Sequence, residues 1–315
     1  MIGVFYKKDG RIAVSQSEEV FSSVGRDDVI WIDLFSPTGD EKRAAEAFLG
    51  TEIQSRAQAE EIESSSRFRE TDDAIFANTN FLIPGPDEYD REAVSFILSG
   101  TTLTTLRDVP LRSFTELQRK MTAIPRLYPG GYWVFVSILD QRVDLDADMI
   151  ELMSKEIAQY SRRINQQEDI NEEFLLDINQ LQENTMTVRE NIVDKQRLIT
   201  GIMKSDKYPA ELEARFNVLQ QDIKSLINHT NFSFERLEYL QDTVVGLINL
   251  EQNKIMKIFT LVSLLLMPPT LVASFYGMNV HLPMEGFRWA WLVLIVVMVI
   301  SFAIFLIIFK KRKML

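Results

Sequence analysis

Met267–Trp289 reads MPPTLVASFYGMNVHLPMEGFRW. An apolar run with two consecutive prolines stops on Tyr-Gly-Met-Asn, crosses a dozen residues and turns apolar again. Upstream, Ile258 to Tyr276 holds no charged residue. Downstream, Trp289 to Phe309 is WAWLVLIVVMVISFAIFLIIF, 21 residues without charge. At about 1.5 Å per residue, each run can cross a hydrocarbon core about 30 Å thick. Thr260, Ser263, Thr270 and Ser274 dilute the first run, and Pro268-Pro269 interrupt it. Membrane helices tolerate such prolines where neighbouring helices satisfy the freed carbonyls. The pattern predicts membrane helices over 258–276 and 289–309, joined by a loop over 277–288.

Basic residues set the orientation. Lys310-Lys311-Arg312-Lys313 follow the second run within a tail of 310–315, and Lys254 and Lys257 precede the first. The intervening loop holds Arg288 against Glu285. The positive-inside rule then places both termini in the cytoplasm and the loop outside. The opening MIGVFYKKDGRIAV lacks an apolar core of signal-peptide length, so the residues before the first span are expected to be cytoplasmic. There are no cysteines, which excludes disulfides and thiolate metal sites.

The charge is lopsided. From Ile258 onward five basic residues face one acidic residue, net +4, so residues 1–257 carry −15 of the total −11. A part that acidic is a poor partner for nucleic acid or anionic lipid and a plausible host for cations.

Before Pro110 the chain reads as a mixed α/β domain over 1–110. VIWIDL (29–34), AIFANTNFLI (74–83), AVSFILS (93–99) and TLTTLR (102–107) are strand-length runs rich in β-branched and aromatic residues. Thr38 and Glu41 make a capping box ahead of a helix closed by Gly50. RAQAEEIE predicts a second short helix, and Pro84–Tyr89 a turn. After Pro110 the pattern turns helical over 111–257, with Ile150, Ile157 and Ile164 at the seven-residue interval of packed helices. The loop at DKYPAE breaks this helical pattern, and a stalk helix is expected from near 209 into the first span. Two spans cannot enclose a water path, so a pore would need several chains around an axis.

Steps of three and four along that helix select one stripe: Gly246, Asn249, Asn253, Met256, Thr260, Ser263, Met267, Thr270, Ser274 and Gly277. It is rich in hydroxyls and amides and free of charge. One reading is a small-residue packing seam between membrane helices. The other is a pore wall whose neutral oxygens accept hydrogen bonds from the water around a cation, with Met256 and Met267 as apolar constrictions. Uncharged oxygens suit Mg²⁺, which gives up its water reluctantly.

Gly277-Met278-Asn279 directly after an apolar helix, with a short loop, a final span and a basic tail, resembles the CorA magnesium transporter family. EQNKIMKIFTLVSLLLMPPTLVASFYGMN resembles that family's first transmembrane segment over nearly thirty residues, and VIWIDLFSPTGDE its cytoplasmic domain. The resemblance implies a funnel-shaped homopentamer in a bacterial-type inner membrane. Its long helices would line the conduit, and the second spans would surround them. Asn279 would hold the incoming hydrated ion at the external mouth, Gly277 would let the backbone turn there, and Tyr276 and Met278 would pack the turn. Asn253, Met256, Met267 and Thr270 fall on family pore-lining positions. The loop departs from the family's usual Met-Pro-Glu-Leu, reading LPMEGF, with Glu285 in a shifted setting where it would attract cations. The family also implies regulatory Mg²⁺ between neighbouring cytoplasmic domains, for which Asp222 on the stalk and Asp87, Glu88 and Asp90 in a facing loop are candidates.

The function that the resemblance implies is Mg²⁺ influx, with Co²⁺ and Ni²⁺ as further cargo, and together with the acidic balance of residues 1–257 it implies closure by cytoplasmic Mg²⁺. A Zn²⁺ transporter of the same superfamily is the alternative. A membrane-anchored coiled-coil sensor or scaffold is another. His229 and His281 are the only histidines, too few for a histidine zinc cage in one chain. No P-loop, dinucleotide loop or nucleophile elbow is present, so no enzymatic function is expected.

Overall fold

The computed structural model describes residues 1–54, 67–85, 88–166, 170–278, 286 and 288–311. They form two compact units, Met1–Gln241 and Asp242–Leu315. In the first unit a sheet contains β1 (Ile2–Lys8), β2 (Arg11–Ser15), β3 (Val29–Phe35), β4 (Phe68–Glu70), β5 (Ala74–Pro84), β6 (Tyr89–Ser99) and β7 (Thr102–Arg107). Their order is β2-β1-β3-β7-β6-β5-β4. β3 and β7 run parallel, and every other neighbouring pair is antiparallel. The helices are α1 (Gly39–Leu49), α2 (Arg112–Ala123), α3 (Gly131–Gln166), α4 (Glu172–Met203), α5 (Glu213–Tyr276) and α6 (Ala290–Lys311).

β3 shows how the interior strands of the sheet are buried on both faces. Six of its residues, Val29 to Leu34, are buried, as expected of a strand covered on two sides. Successive side chains alternate. Ile32 and Leu34 join Ala45 and Leu49 of α1 in one core cluster. Trp31 stacks on Phe5 at 4.6 Å and meets Phe114 of α2 at 5.7 Å. Asp33 accepts hydrogen bonds from Arg107 (Nη2, 2.8 Å) and Thr105 (2.9 Å), and Thr105 accepts one from the Trp31 indole at 2.9 Å. The buried carboxylate is thus both paired and hydrogen-bonded.

The capping box forms as expected. Thr38 Oγ1 accepts from the Glu41 amide at 3.2 Å, the Glu41 carboxylate accepts from the Thr38 amide at 2.8 Å, and Gly50 closes α1 at φ 66°. The four expected strands are β3, β5, β6 and β7. The β1–β2 hairpin was not anticipated. It turns on Asp9 (φ 50°) and Gly10 (φ 74°), the Asp-Gly pair that favours two-residue hairpins. The expected turn at Pro84–Tyr89 is tighter, because Pro84 and Tyr89 themselves pair across the β5–β6 hairpin. Asp90 therefore lies within β6, opposite Ile83, and not in a loop. The helix expected at RAQAEEIE lies outside the described residues.

Ile150, Ile157 and Ile164 are all buried along α3, which packs against α4. One polar cluster holds these two helices to each other and to the sheet. Lys195 of α4 and Asp146 of α3 are fully buried, with Nζ 2.7 Å from Oδ2. Arg142 Nε stands 3.3 Å from Asp146 Oδ1, and its Nη2 donates to the Leu82 carbonyl of β5 at 2.5 Å. Lys195 also donates to Asn191, whose amide donates to the Asn80 carbonyl at 2.6 Å.

Burial pulls the Lys195 ammonium down to about 8, while neighbouring Asp146 works in the opposite direction. Between pH 8 and the ordinary lysine range the unfolded chain binds the proton that the folded chain has released, so this contribution to stability rises with pH. Relative to Lys195→Met, the wild type should gain about 2 kcal/mol between pH 8 and 10, from about 1.4 kcal/mol per pKa unit. Paired denaturation curves at the two pH values check this. An unchanged difference would show that Lys195 is charged alike in both states.

Candidate functional site

The second unit is helical. α5, from Asp242 on, and α6 are both long and apolar enough to cross a membrane. α5 continues as one helix through Pro268 and Pro269 to Tyr276. The prolines lack the amides that would bond the carbonyls of Leu264 and Leu265. Both prolines lie on the sheltered side of the helix, together with Leu264, Leu265, Val272, Tyr276 and buried Leu261. On α6 the corresponding stripe is Ala290, Leu294, Met298, Ser301, Phe305 and Phe309.

The polar stripe is on the other side. At about 100° per residue, Met256, Thr260, Ser263, Met267, Thr270 and Ser274 centre roughly opposite Leu261, Leu265, Pro268 and Val272. Every one of these six is exposed in the single chain, as are Asn249 and Asn253 below them. Met256 and Met267 are 63% and 66% exposed. The threonine hydroxyls have a fixed orientation. Thr260 donates to the Met256 carbonyl at 2.8 Å and Thr270 to the Leu266 carbonyl at 2.7 Å. With its proton committed to the backbone, each hydroxyl offers only lone pairs outward, where they can accept a hydrogen bond from water.

At the end of α5, the Gly277 amide donates to the Ala273 carbonyl at 2.9 Å and to that of Ser274 at 3.2 Å. Gly277 does not use a left-handed backbone; the described glycines that do are Gly10, Gly50 and Gly100. What favours glycine here is space, because a Cβ would sit 3.2 Å from the Ala273 carbonyl oxygen. Tyr276 is partly buried and packs edge-on to Phe275 at 5.6 Å, while Met278 is exposed. Asn279 and Glu285 lie outside the described residues, as does Asp87.

In the first unit, Asp222 is exposed on α5 and lines a cavity of about 440 Å³ with Asp140 and Asp144 of α3 and Arg215. Arg215 pairs with Asp140. Burial raises the Asp140 carboxyl above the usual carboxylate range, Arg215 opposes the shift, and Asp144 and Asp222 add to it. Asp140 and Asp144 were not anticipated, although their i, i+4 spacing places them on one helix face. Glu88 and Asp90, both exposed on the β5–β6 hairpin, are not in the lining of this cavity. Among the described residues no three acidic or histidine side chains are grouped to hold a metal ion.

A family model described as CorA-like Mg²⁺ transporter protein matches residues 26–311. The chain belongs to this family. It is 32% identical over 321 residues to the magnesium transport protein CorA of Wolinella succinogenes, covering all of both chains. Its fold matches the complete CorA magnesium transporter of Methanocaldococcus jannaschii with a TM-score of 0.82 at 17% identity, covering 99% of this chain and 98% of that one. It also matches the ZntB cytoplasmic domain of Vibrio parahaemolyticus, TM-score 0.58 at 14% identity, over 78% of this chain and 97% of that one. The chain is a membrane protein of a transporter family, with the mixed-sheet domain, long helix and two C-terminal apolar helices of the CorA fold.

Proposed function

We propose that the protein carries Mg²⁺ into the cell through a homopentameric conduit in the bacterial inner membrane, lined by the polar stripe of α5. Co²⁺ and Ni²⁺ are further cargo. The observation that carries this reading is the stripe itself. It is rich in oxygen acceptors, free of charge, exposed in the single chain and opposite the sheltered side of its helix. A hydrated divalent ion presents water protons in every direction, and outward lone pairs on Thr260 and Thr270 accept them without stripping the ion. Asn249, Asn253, Ser263 and Ser274 extend the same chemistry, and Met256 and Met267 form the narrow apolar rings. Asn279 holds the ion at the outer mouth, with Tyr276, Gly277 and Met278 shaping the turn and Glu285 drawing cations toward it. Lipid covers the remaining apolar surface. Influx runs down the membrane potential, worth about 2.3 kcal/mol per charge per 100 mV and twice that for a divalent ion.

Cytoplasmic Mg²⁺ closes the conduit by binding between neighbouring subunits among acids that include Asp222, with Asp87, Glu88 and Asp90 as the facing candidates. Emptying these sites leaves like charges to repel one another and loosens the assembly.

Two measurements test this. In liposomes loaded with a magnesium-sensitive dye, Asn279→Ala should lower influx at least tenfold while a sizing column shows unchanged assembly. Equal influx in mutant and wild type would contradict selection at Asn279, and uptake of Zn²⁺ in preference to Mg²⁺ would favour the zinc reading. With millimolar Mg²⁺ inside the liposomes, wild-type influx should fall severalfold and Asp222→Asn should restore part of it. Wild-type influx indifferent to internal Mg²⁺ would contradict the gating.

A further inference from the structure

Four arginines converge on a cavity of about 320 Å³ in the first unit. Arg67 precedes β4, Arg91 lies on β6, and Arg189 and Arg197 lie about two turns apart on α4. Among the described residues two carboxylates share the lining, Glu190 and Asp194, so this wall carries a net charge of +2. Residues 1–257 carry −15 overall. A concentration of positive charge in so acidic a setting is local, and diffuse attraction of anions to the surrounding surface does not produce it.

The ion pairs in the cavity leave donors over. Arg91 pairs with Glu190 at 2.9 Å. Arg67 and Arg197 share the single carboxylate of Asp194, at 3.0 and 3.7 Å. Arg189 spends its Nε on a neutral group, the Asn231 side-chain oxygen, at 2.6 Å. Arg67 Nε is buried without a hydrogen-bond partner. An unmet buried donor is costly, and like charges this close repel one another unless a counter-charge lies between them. Guanidinium groups offer rigid pairs of donors that match the oxygens of a phosphoryl group. The cavity lies at the small end of the usual volume range for ligand sites, about 300–1,000 Å³.

We propose that this cavity binds a doubly charged phosphoryl group, either as inorganic phosphate or as the phosphate of a mononucleotide. The two negative charges balance the +2 wall, and the phosphoryl oxygens take the donors that Glu190 and Asp194 leave unused.

The test uses the full-length protein in detergent, in magnesium-free buffer at constant ionic strength, followed by thermal unfolding. Inorganic phosphate should raise Tm saturably, and adenosine should not. An AMP midpoint at least tenfold below that of phosphate assigns the mononucleotide; similar midpoints assign the phosphoryl group alone. Arg91→Gln with Arg197→Gln alters side chains about half exposed (48% and 55%), which a folded chain tolerates, and should raise the midpoint at least tenfold. Arg189→Gln, a separate variant, should weaken binding in the same direction. The proposal is overturned if chloride at equal ionic strength reproduces the phosphate effect, if adenosine binds as well as AMP, or if both variants keep the wild-type midpoint. Any of these results would leave the arginines as structural partners of Glu190 and Asp194.

Discussion

A hydroxyl or amide carried into a membrane on a helix must meet water, another polar group or its own backbone, because left bare in hydrocarbon it costs several kcal/mol. α5 places Thr260, Ser263, Thr270 and Ser274 on one exposed face of its spanning part. Thr260 and Thr270 satisfy their protons on their own helix, and their acceptors remain open. The single chain leaves this face uncovered, and the sheltered residues, among them Leu261, Leu265, Pro268 and Val272, are on the other side. A ring of copies around water meets the constraint with every acceptor used. Direct helix-to-helix contact would meet it as a dry seam. The two arrangements have the same sequence periodicity and differ in whether water reaches the stripe.

The first unit manages charge in two contrasting ways. In its interior, carboxylates and cations are matched: Asp33 with Arg107, and Asp146 with Lys195 and Arg142. Breaking such a pair would strand a buried charge, so these pairs act as fixed joints between helices and sheet. Toward the surface the match fails in both directions. Asp140, Asp144 and Asp222 outnumber Arg215 around one cavity, and four arginines outnumber two carboxylates around another. Unmatched groups near the surface respond to what binds them, which is why Asp222 of the first cavity enters the proposed Mg²⁺ gating and the second cavity suggests an anion.

Much of this was legible in the sequence because the decisive signals are local. Charge-free runs gave the two spans, β-branched runs gave β3, β5, β6 and β7, and Thr38 with Glu41 gave the start of α1. The stripe was legible because helical periodicity alone assigns a face. The sheltered side was legible only in part, since nothing in the spelling of Leu261 or Val272 distinguishes a covered apolar residue from one facing lipid. The β1–β2 hairpin is written locally too, in the Asp9-Gly10 pair at its turn. The Lys195–Asp146–Arg142 cluster and the Arg67, Arg91, Arg189 and Arg197 cavity were out of reach, because Lys195 lies dozens of residues from Arg142 and Asp146, Arg67 and Arg91 lie as far or farther from Arg189 and Arg197, and the groups meet only once α3 and α4 are laid on the sheet. In the sequence they look like any other charges on strands and amphipathic helices.

The chain's lack of cysteine permits a direct test of whether water reaches the stripe. Single cysteines at Ser263 and Ser274 on the stripe, and at Leu264 and Val272 on the sheltered side, are introduced into protein reconstituted without Mg²⁺. They are then exposed to a charged, water-soluble thiol reagent. A water-filled conduit predicts rapid modification of Ser263→Cys and Ser274→Cys, with Leu264→Cys and Val272→Cys protected. Protection of both stripe positions, in protein that still carries Mg²⁺ into the liposome, would contradict the account and turn the stripe into a dry seam.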